Sequence, residues 1–125
     1  MRKVAESKNH PEIEQVILYE PELDEGVYAF PRTSLNDGFA IGDIFYQNWQ
    51  DAEESCEQEY GISKDDWKVI PDPLPNCQQD WIAPVRVIGR NTGTPQWGKL
   101  EKLIDGKWVE IELLDGMWAE KNISL

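Results

Sequence analysis

The sequence predicts an α+β fold: a mainly antiparallel sheet with a C-terminal three-stranded meander and one helix packed on the sheet. Two observations lead to this prediction. Residues 103–110 and 113–120 repeat one pattern, an apolar pair, Asp-Gly, any residue, Trp, a small apolar residue and Glu. Residues 49–60 carry apolar side chains at helical spacing and lie between Asn48 and Gly61. A chain of 125 residues that is 40% apolar is long enough to bury a core.

The repeated pattern predicts two tight turns, at Asp105-Gly106 and at Asp115-Gly116. Asp-Gly between apolar segments favours a type I′ turn, which needs positive φ at both central residues. Two-residue loops then set the strand register. The expected pairs are Leu100 with Ile111, Leu103 with Trp108, Ile104 with Lys107, Leu113 with Trp118 and Leu114 with Met117. The alternative is a helix over residues 97–104, where the apolar residues also fit a 3.6-residue period.

Side chains alternate between the two faces of a strand, so this register also predicts which face of the meander is buried. We expect a core face made of Leu100, Ile104, Val109, Ile111, Leu113 and Trp118. The other face has a charged centre of Lys99, Glu101, Glu110, Glu112 and Lys121. Its apolar ends are Trp97, Leu103, Trp108, Leu114, Met117 and Ile123. Lys99 opposite Glu112 and Lys121 opposite Glu110 are expected to be favourable cross-strand pairs.

The N-terminal segment 1–14 is polar, and we expect it to be a flexible arm that precedes a single α+β domain over residues 15–125. Short segments with β-type composition predict further strands at 16–19, 27–33, 39–46, 67–70 and 81–88. Pro31 indicates an edge strand or a strand end, and Gly42 indicates a bulge. The prolines in residues 71–80 predict an extended loop.

The helix is predicted over Trp49–Tyr60, with Asn48 as its N-cap and Gly61 as the glycine that ends it. Its apolar face, expected to pack on the sheet, carries Trp49, Ala52, Cys56 and Tyr60. The remaining surface is acidic and polar, with Asp51, Glu53, Glu54, Glu57 and Gln58. Acidic residues near the C-terminal end of a helix oppose the helix dipole, so Glu57 and Glu59 indicate a role other than helix stability.

The formal net charge of −12 is large for a chain of this size. Residues 1–80 hold 18 acidic and 6 basic residues, whereas residues 81–125 hold 6 of each. This balance excludes a general nucleic-acid or anionic-membrane surface, which needs a basic face, and it favours a basic partner. The sequence contains no apolar segment that predicts a membrane span or a signal peptide.

Catalytic and metal-binding patterns are absent from the sequence. The one histidine, His10, lies in the polar segment beside a proline, and no phosphate loop, zinc spacing or calcium loop occurs. The sequence therefore favours a protein that is not an enzyme and needs no cofactor. Cys56 and Cys77 are expected to be reduced thiols in a cytoplasmic protein, although a disulfide between them stays open.

Three functional hypotheses follow. The first is a small binding protein, of the inhibitor or toxin-neutralising (immunity-like) kind, that docks a basic protein through its acidic helical half. Its candidate partner-binding residues are Asp51, Glu53, Glu54 and Glu57.

The second hypothesis is a small-molecule or glycan-binding module, since a surface indole beside amides and carboxylates can form such a site. Its candidate residues are Gln78, Gln79, Asp80, Trp81, Arg90 and Trp97. We expect the other four tryptophans to belong to the core. The third hypothesis, a thiol or carboxylate enzyme centred on Cys77 or Asp80, has the least support.

Overall fold

Two antiparallel sheets and one main helix form the fold, in a computed structural model that describes residues 1–121. The chain forms two compact units, Met1–Asp72 and Pro73–Leu125. The α+β class and the C-terminal meander are confirmed. That residues 15–125 make a single domain stays a prediction. Ile123, predicted on the second face of the meander, lies outside the described residues.

The first unit is built on a five-stranded sheet with the order β4-β3-β2-β1-β5. Its strands are β1 Arg2–Glu6, β2 Gln15–Tyr19, β3 Val27–Arg32, β4 Ile44–Tyr46 and β5 Lys68–Ile70. The central strand β2 is buried on both faces, because Ile17 and Leu18 point to opposite sides and both are 0% exposed. The strands predicted at 16–19, 27–33 and 67–70 match β2, β3 and β5.

The N-terminal segment is not an arm, which corrects the prediction for residues 1–14. β1 pairs with β2 on one side and with β5 on the other. The polar composition concealed this strand, and one of its two partners, β5, comes from a distant part of the chain. The Arg2 guanidinium is buried and donates from Nε to the Pro71 carbonyl at 2.8 Å, and the Lys3 ammonium lies 3.3 Å from Glu53.

The strand predicted at residues 39–46 is much shorter in the structure, where only Ile44–Tyr46 is strand. Pro31 explains the difference. The Ile41 N–H donates to the Pro31 carbonyl at 2.9 Å, so this side of Pro31 faces the incoming segment. A strand residue presents its N–H on the same side as its carbonyl, and proline has no N–H to give. The ladder between β3 and β4 therefore covers only Val27–Ala29 of β3.

The helix α1, Trp49–Tyr60, has the predicted boundaries. The Asn48 side chain accepts from the Asp51 N–H at 2.8 Å, and the Gly61 N–H reaches two carbonyls of the last turn. Ala52, Cys56 and Tyr60 are buried in the core of the first unit. Trp49 is only partly buried there, and the Lys3 ammonium lies 4.7 Å from its ring centroid. Trp49 therefore packs against this core as predicted, but part of its side chain stays exposed.

The second unit is built on a four-stranded sheet with the order β6-β7-β8-β9. Its strands are β6 Val85–Val87, β7 Leu100–Ile104, β8 Lys107–Leu114 and β9 Met117–Glu120. All five predicted register pairs are confirmed. Asp105 and Gly106 have φ of 50° and 79°, as the predicted turn requires, and the second turn matches it. The helical alternative for residues 97–104 is wrong, and the strand predicted at 81–88 is confined to β6.

The core face of the meander is only partly as predicted. Leu100 and Ile111 are buried and Trp118 packs against them, whereas Leu113 is 57% exposed. The ladder between β7 and β8 ends at Leu100, so Leu113 lies beyond it, where the sheet has two strands. Lys99 lies outside that ladder as well, so the predicted cross-strand pair of Lys99 with Glu112 is not found.

The other predicted cross-strand ion pair is present. The Lys121 ammonium lies 2.9 Å from Glu110.

We expect Gly89→Ala to destabilise the second unit more than Gly106→Ala. Both glycines have positive φ, and the left-handed conformation alone costs an alanine about 1–2 kcal/mol. A Cβ at Gly106 meets no atom within 4 Å, whereas a Cβ at Gly89 would overlap the carbonyl oxygen of Thr94. Urea denaturation followed by circular dichroism measures both losses, and equal losses would contradict this account.

A second comparison uses two tryptophans of the same unit. Trp81 is 1% exposed and Trp97 is 75% exposed. Trp81→Ala is expected to lower the free energy of unfolding by about 3–5 kcal/mol, because it leaves a cavity in the core. Trp97→Ala should change that free energy by less than about 0.5 kcal/mol. A large loss for Trp97→Ala in chemical denaturation would show that the exposed ring carries structural contacts.

Candidate functional site

The solvent face of α1 carries most of the predicted partner-binding carboxylates. Asp51, Glu54 and Glu57 are exposed, on the side opposite the buried Ala52 and Cys56. They are spaced three residues apart, so they form an inclined row about 9 Å long. Among residues 1–121, no lysine or arginine forms an ion pair with any of the three.

Glu53, the fourth predicted carboxylate, lies elsewhere on the helix. Its side chain is mostly buried and pairs with the Lys3 ammonium, which also contacts the Trp49 ring. This pair holds the helix against β1. Glu53 therefore belongs to the packing of the first unit, and the exposed row consists of the other three residues.

The C-terminal end of α1 is electrostatically unfavourable to the helix. Its last turn contains no basic residue, whereas Glu57 and Glu59 lie near the negative end of the helix dipole. Burial and the charges of Glu59 and Glu53 raise the pKa of the Cys56 thiol to about 12. Burial and the charge of Glu59 raise the pKa of Tyr60 to about 12 as well. Helix stability alone does not account for this accumulation of acidic residues.

The first unit carries almost all of the net charge. It holds 17 acidic and 6 basic residues, a net of −11, whereas the second unit holds 7 and 6. Two of its six basic residues, Arg2 and Arg32, are buried. The Arg32 guanidinium lies 3.1 Å from Asp37 and donates to the Asn36 carbonyl, so it orders the loop after β3.

The four lysines of this unit leave little positive charge free at its surface. Lys3 is paired with Glu53, and Lys8 lies 2.6 Å from Asp66. Only Lys64 and Lys68 form no ion pair within residues 1–121. The burial of the two arginines was not predicted from the sequence, because arginine is normally an exposed residue.

The residues of the alternative ligand site are not brought together as an open site. Trp81 is buried in the core of the second unit, where its ring meets Trp118 edge-on at 5.5 Å, whereas Trp97 is exposed. Arg90 does reach Gln78, with an Nη1–Oε1 distance of 3.3 Å. Gln79 is exposed and Asp80 is half-buried. A site built on two exposed indole faces is therefore not present.

The two cysteines and the histidine have structural roles. Cys56 and Cys77 are both buried and free, so they do not form a disulfide. His10, expected to be an exposed arm residue, is half-buried, and its Nδ1 accepts from the N–H groups of Glu12 and Ile13. It closes the turn between β1 and β2.

One open cavity of about 400 Å³ lies at the end of β1, and none of the predicted site residues lines it. Its lining is Val4, Ala5, Glu6, Lys8, Gln15, Asp66 and Lys68. Within the described residues, no three His, Cys, Asp or Glu side chains are grouped as metal ligands. The same residues contain no helix long and apolar enough to cross a membrane.

Comparison with known proteins found no matching family model, no matching curated protein and no matching solved structure.

The raised pKa values of Cys56 and Tyr60 predict a loss of stability at high pH. Both groups ionise in the unfolded chain first, near 9.0 and 10.0, and in the folded chain only near 12. Their contribution is complete below about pH 9 and is lost as the pH rises towards 12. Urea midpoints measured across this range should fall, and the fall should be smaller in Cys56→Ala/Tyr60→Phe. An unchanged slope in that variant would refute the assignment.

Proposed function

We propose that this chain is a binding protein that docks a basic protein partner through Asp51, Glu54 and Glu57 on α1. An inhibitor or toxin-neutralising role fits this mode of action. The observation that carries the proposal is the row of exposed carboxylates on a helix capped at both ends, with no cation of the described chain paired to it. Such a row meets lysine and arginine side chains without first breaking ion pairs of its own.

The helix also holds the row in a fixed geometry. The Asn48 cap, the Gly61 end and the Lys3–Glu53 pair restrain α1 before any partner arrives. A preformed surface loses less conformational entropy on binding than a flexible one does. The unfavourable position of Glu57 near the helix C-terminus supports a role in binding, because it weakens the isolated helix.

The charge of the whole unit acts over a longer range than these contacts. A net of −11, with two arginines buried and two lysines paired, attracts a cationic protein and speeds its encounter. Screening by salt reduces the range of this attraction, so the association rate should fall steeply as the ionic strength rises. The loop-tryptophan hypothesis has less support, because Trp81 is buried.

The test uses Asp51→Asn/Glu54→Gln/Glu57→Gln, which keeps side-chain shape and removes three charges. Carbodiimide cross-linking in an extract of the source cells identifies the protein joined to the wild-type chain. Titration of that purified protein then measures affinity. We expect the triple variant to bind at least about tenfold more weakly, equivalent to about 1.4 kcal/mol, and the wild-type association rate to fall as salt is added.

The matched control is Glu12→Gln/Asp65→Asn/Glu120→Gln, which removes the same charge from exposed residues elsewhere. It should retain nearly wild-type affinity. If both variants weaken binding equally, the net charge and not the helix row is responsible. If the cross-linked partner is acidic or binds independently of salt, the proposal is wrong.

A further inference from the structure

One edge of the first sheet differs from the other sheet edges of the described chain. The edge strands are β4, β5, β6 and β9, with the sequences Ile-Phe-Tyr, Lys-Val-Ile, Val-Arg-Val and Met-Trp-Ala-Glu. Charged residues on an edge strand discourage pairing with another chain. β4 is the one edge strand among these that carries no charge, so its open side is the least protected against strand addition.

The segment around β4 also exposes large apolar side chains. Ile41 is 63% exposed, Phe45 is 53% exposed and Ile44 is 37% exposed. The Phe45 ring is fixed in place, since it meets Tyr28 edge-on at 5.3 Å and fills the space where a side chain at residue 26 would stand. Exposed apolar area on a rigid strand is typical of an interaction surface.

Acidic residues flank this apolar edge. Asp43 directly precedes β4 and is exposed. At the other end, the turn before β3 carries Glu22, Asp24 and Glu25, all exposed. Glu22 lies so close to Glu25 that their hydrogen bond and mutual charge raise the pKa of Glu25. A cation beside this turn would relieve that repulsion.

β4 is joined to the acidic helix. The Tyr46 hydroxyl lies 2.8 Å from the Ser55 hydroxyl of α1, on the same unit that carries the exposed carboxylate row. A segment paired to β4 would therefore have acidic side chains of the turn at one end, Asp43 at the other and α1 alongside.

We propose that the basic partner presents an extended segment of alternating basic and apolar residues, which adds to the sheet as a strand beside β4. This inference rests on the proposed function and specifies how the partner makes contact. Main-chain hydrogen bonds would give affinity. Ile44 and Phe45 point to opposite faces of the sheet, so the apolar side chains, which share one face of an alternating strand, would cover Phe45, and the basic side chains would reach Asp43 and Glu25 at the two ends.

The test uses a capped peptide of alternating lysine and valine as the probe and the full chain labelled with nitrogen-15. We expect peptide-dependent shifts of the Ile44–Tyr46 amides, and slower hydrogen exchange of the Phe45 amide, which faces the open edge because Ile44 and Tyr46 face β3. The same peptide with its central valine replaced by proline has the same charge but cannot complete the ladder, and it should bind roughly tenfold more weakly. Equal binding of the two peptides would overturn strand addition.

Charge variants then separate this inference from the proposed function. Asp43→Asn/Glu25→Gln should weaken the alternating peptide severalfold, whereas the matched control Glu12→Gln/Glu120→Gln should not. Shifts confined to the α1 row would overturn the β4 inference but leave the proposed function standing. If the peptide still shifts the β4 amides while the helix triple variant keeps full affinity for the partner, the proposed role of the α1 row is overturned and binding at β4 stands. A concentration-dependent dimer that protects the β4 amides without peptide would also overturn the inference, in favour of a second copy.

Discussion

The first unit depends on the burial of β2 on both of its faces. Ile17 and Leu18 lie on opposite faces of β2 and neither is exposed. The strand must therefore be covered on both faces and hydrogen-bonded to a neighbouring strand on both edges. One face receives α1 through Ala52, Cys56 and Tyr60. One edge receives β1, although β1 itself offers few apolar side chains. This demand explains why a polar N-terminal segment becomes a strand near the centre of a sheet.

The parts of the fold that were predictable from sequence are those with local causes. The Asp-Gly turns fix the pairing of Leu103 with Trp108 through backbone conformation alone, and Asn48 and Gly61 set the limits of α1. The parts that were not predictable depend on distant partners. Arg2 of β1 is buried with its Nε donating to the carbonyl of Pro71, 69 positions away in the chain. Leu113 is exposed because β7 ends too early to cover it, and Trp81 is buried although its sequence surroundings are a loop.

The same division holds for the candidate site. The exposed positions of Asp51, Glu54 and Glu57 follow from helical spacing, so the sequence was sufficient to find them. Glu53 lies only two residues from Asp51, yet it is removed from the site by Lys3, a residue fifty positions away. The ion pairs of Lys3, Lys8 and Arg32 each neutralise one particular carboxylate, and so decide which acidic residues are left uncompensated at the surface. Such pairing depends on tertiary structure and is not visible in a composition.

Pro31 has a consequence for the behaviour of the protein at high concentration. Because Pro31 lacks an N–H, β4 is limited to three residues, and the apolar residues before it, Phe39, Ala40 and Ile41, stay out of the ladder. Long, uncharged edge strands act as templates for aggregation, and natural sequences interrupt them with gatekeeper residues. Pro31 acts as such a gatekeeper from the neighbouring strand. A short edge of this kind resists uncontrolled fibre growth, and its open backbone is the one to which the proposed strand would add.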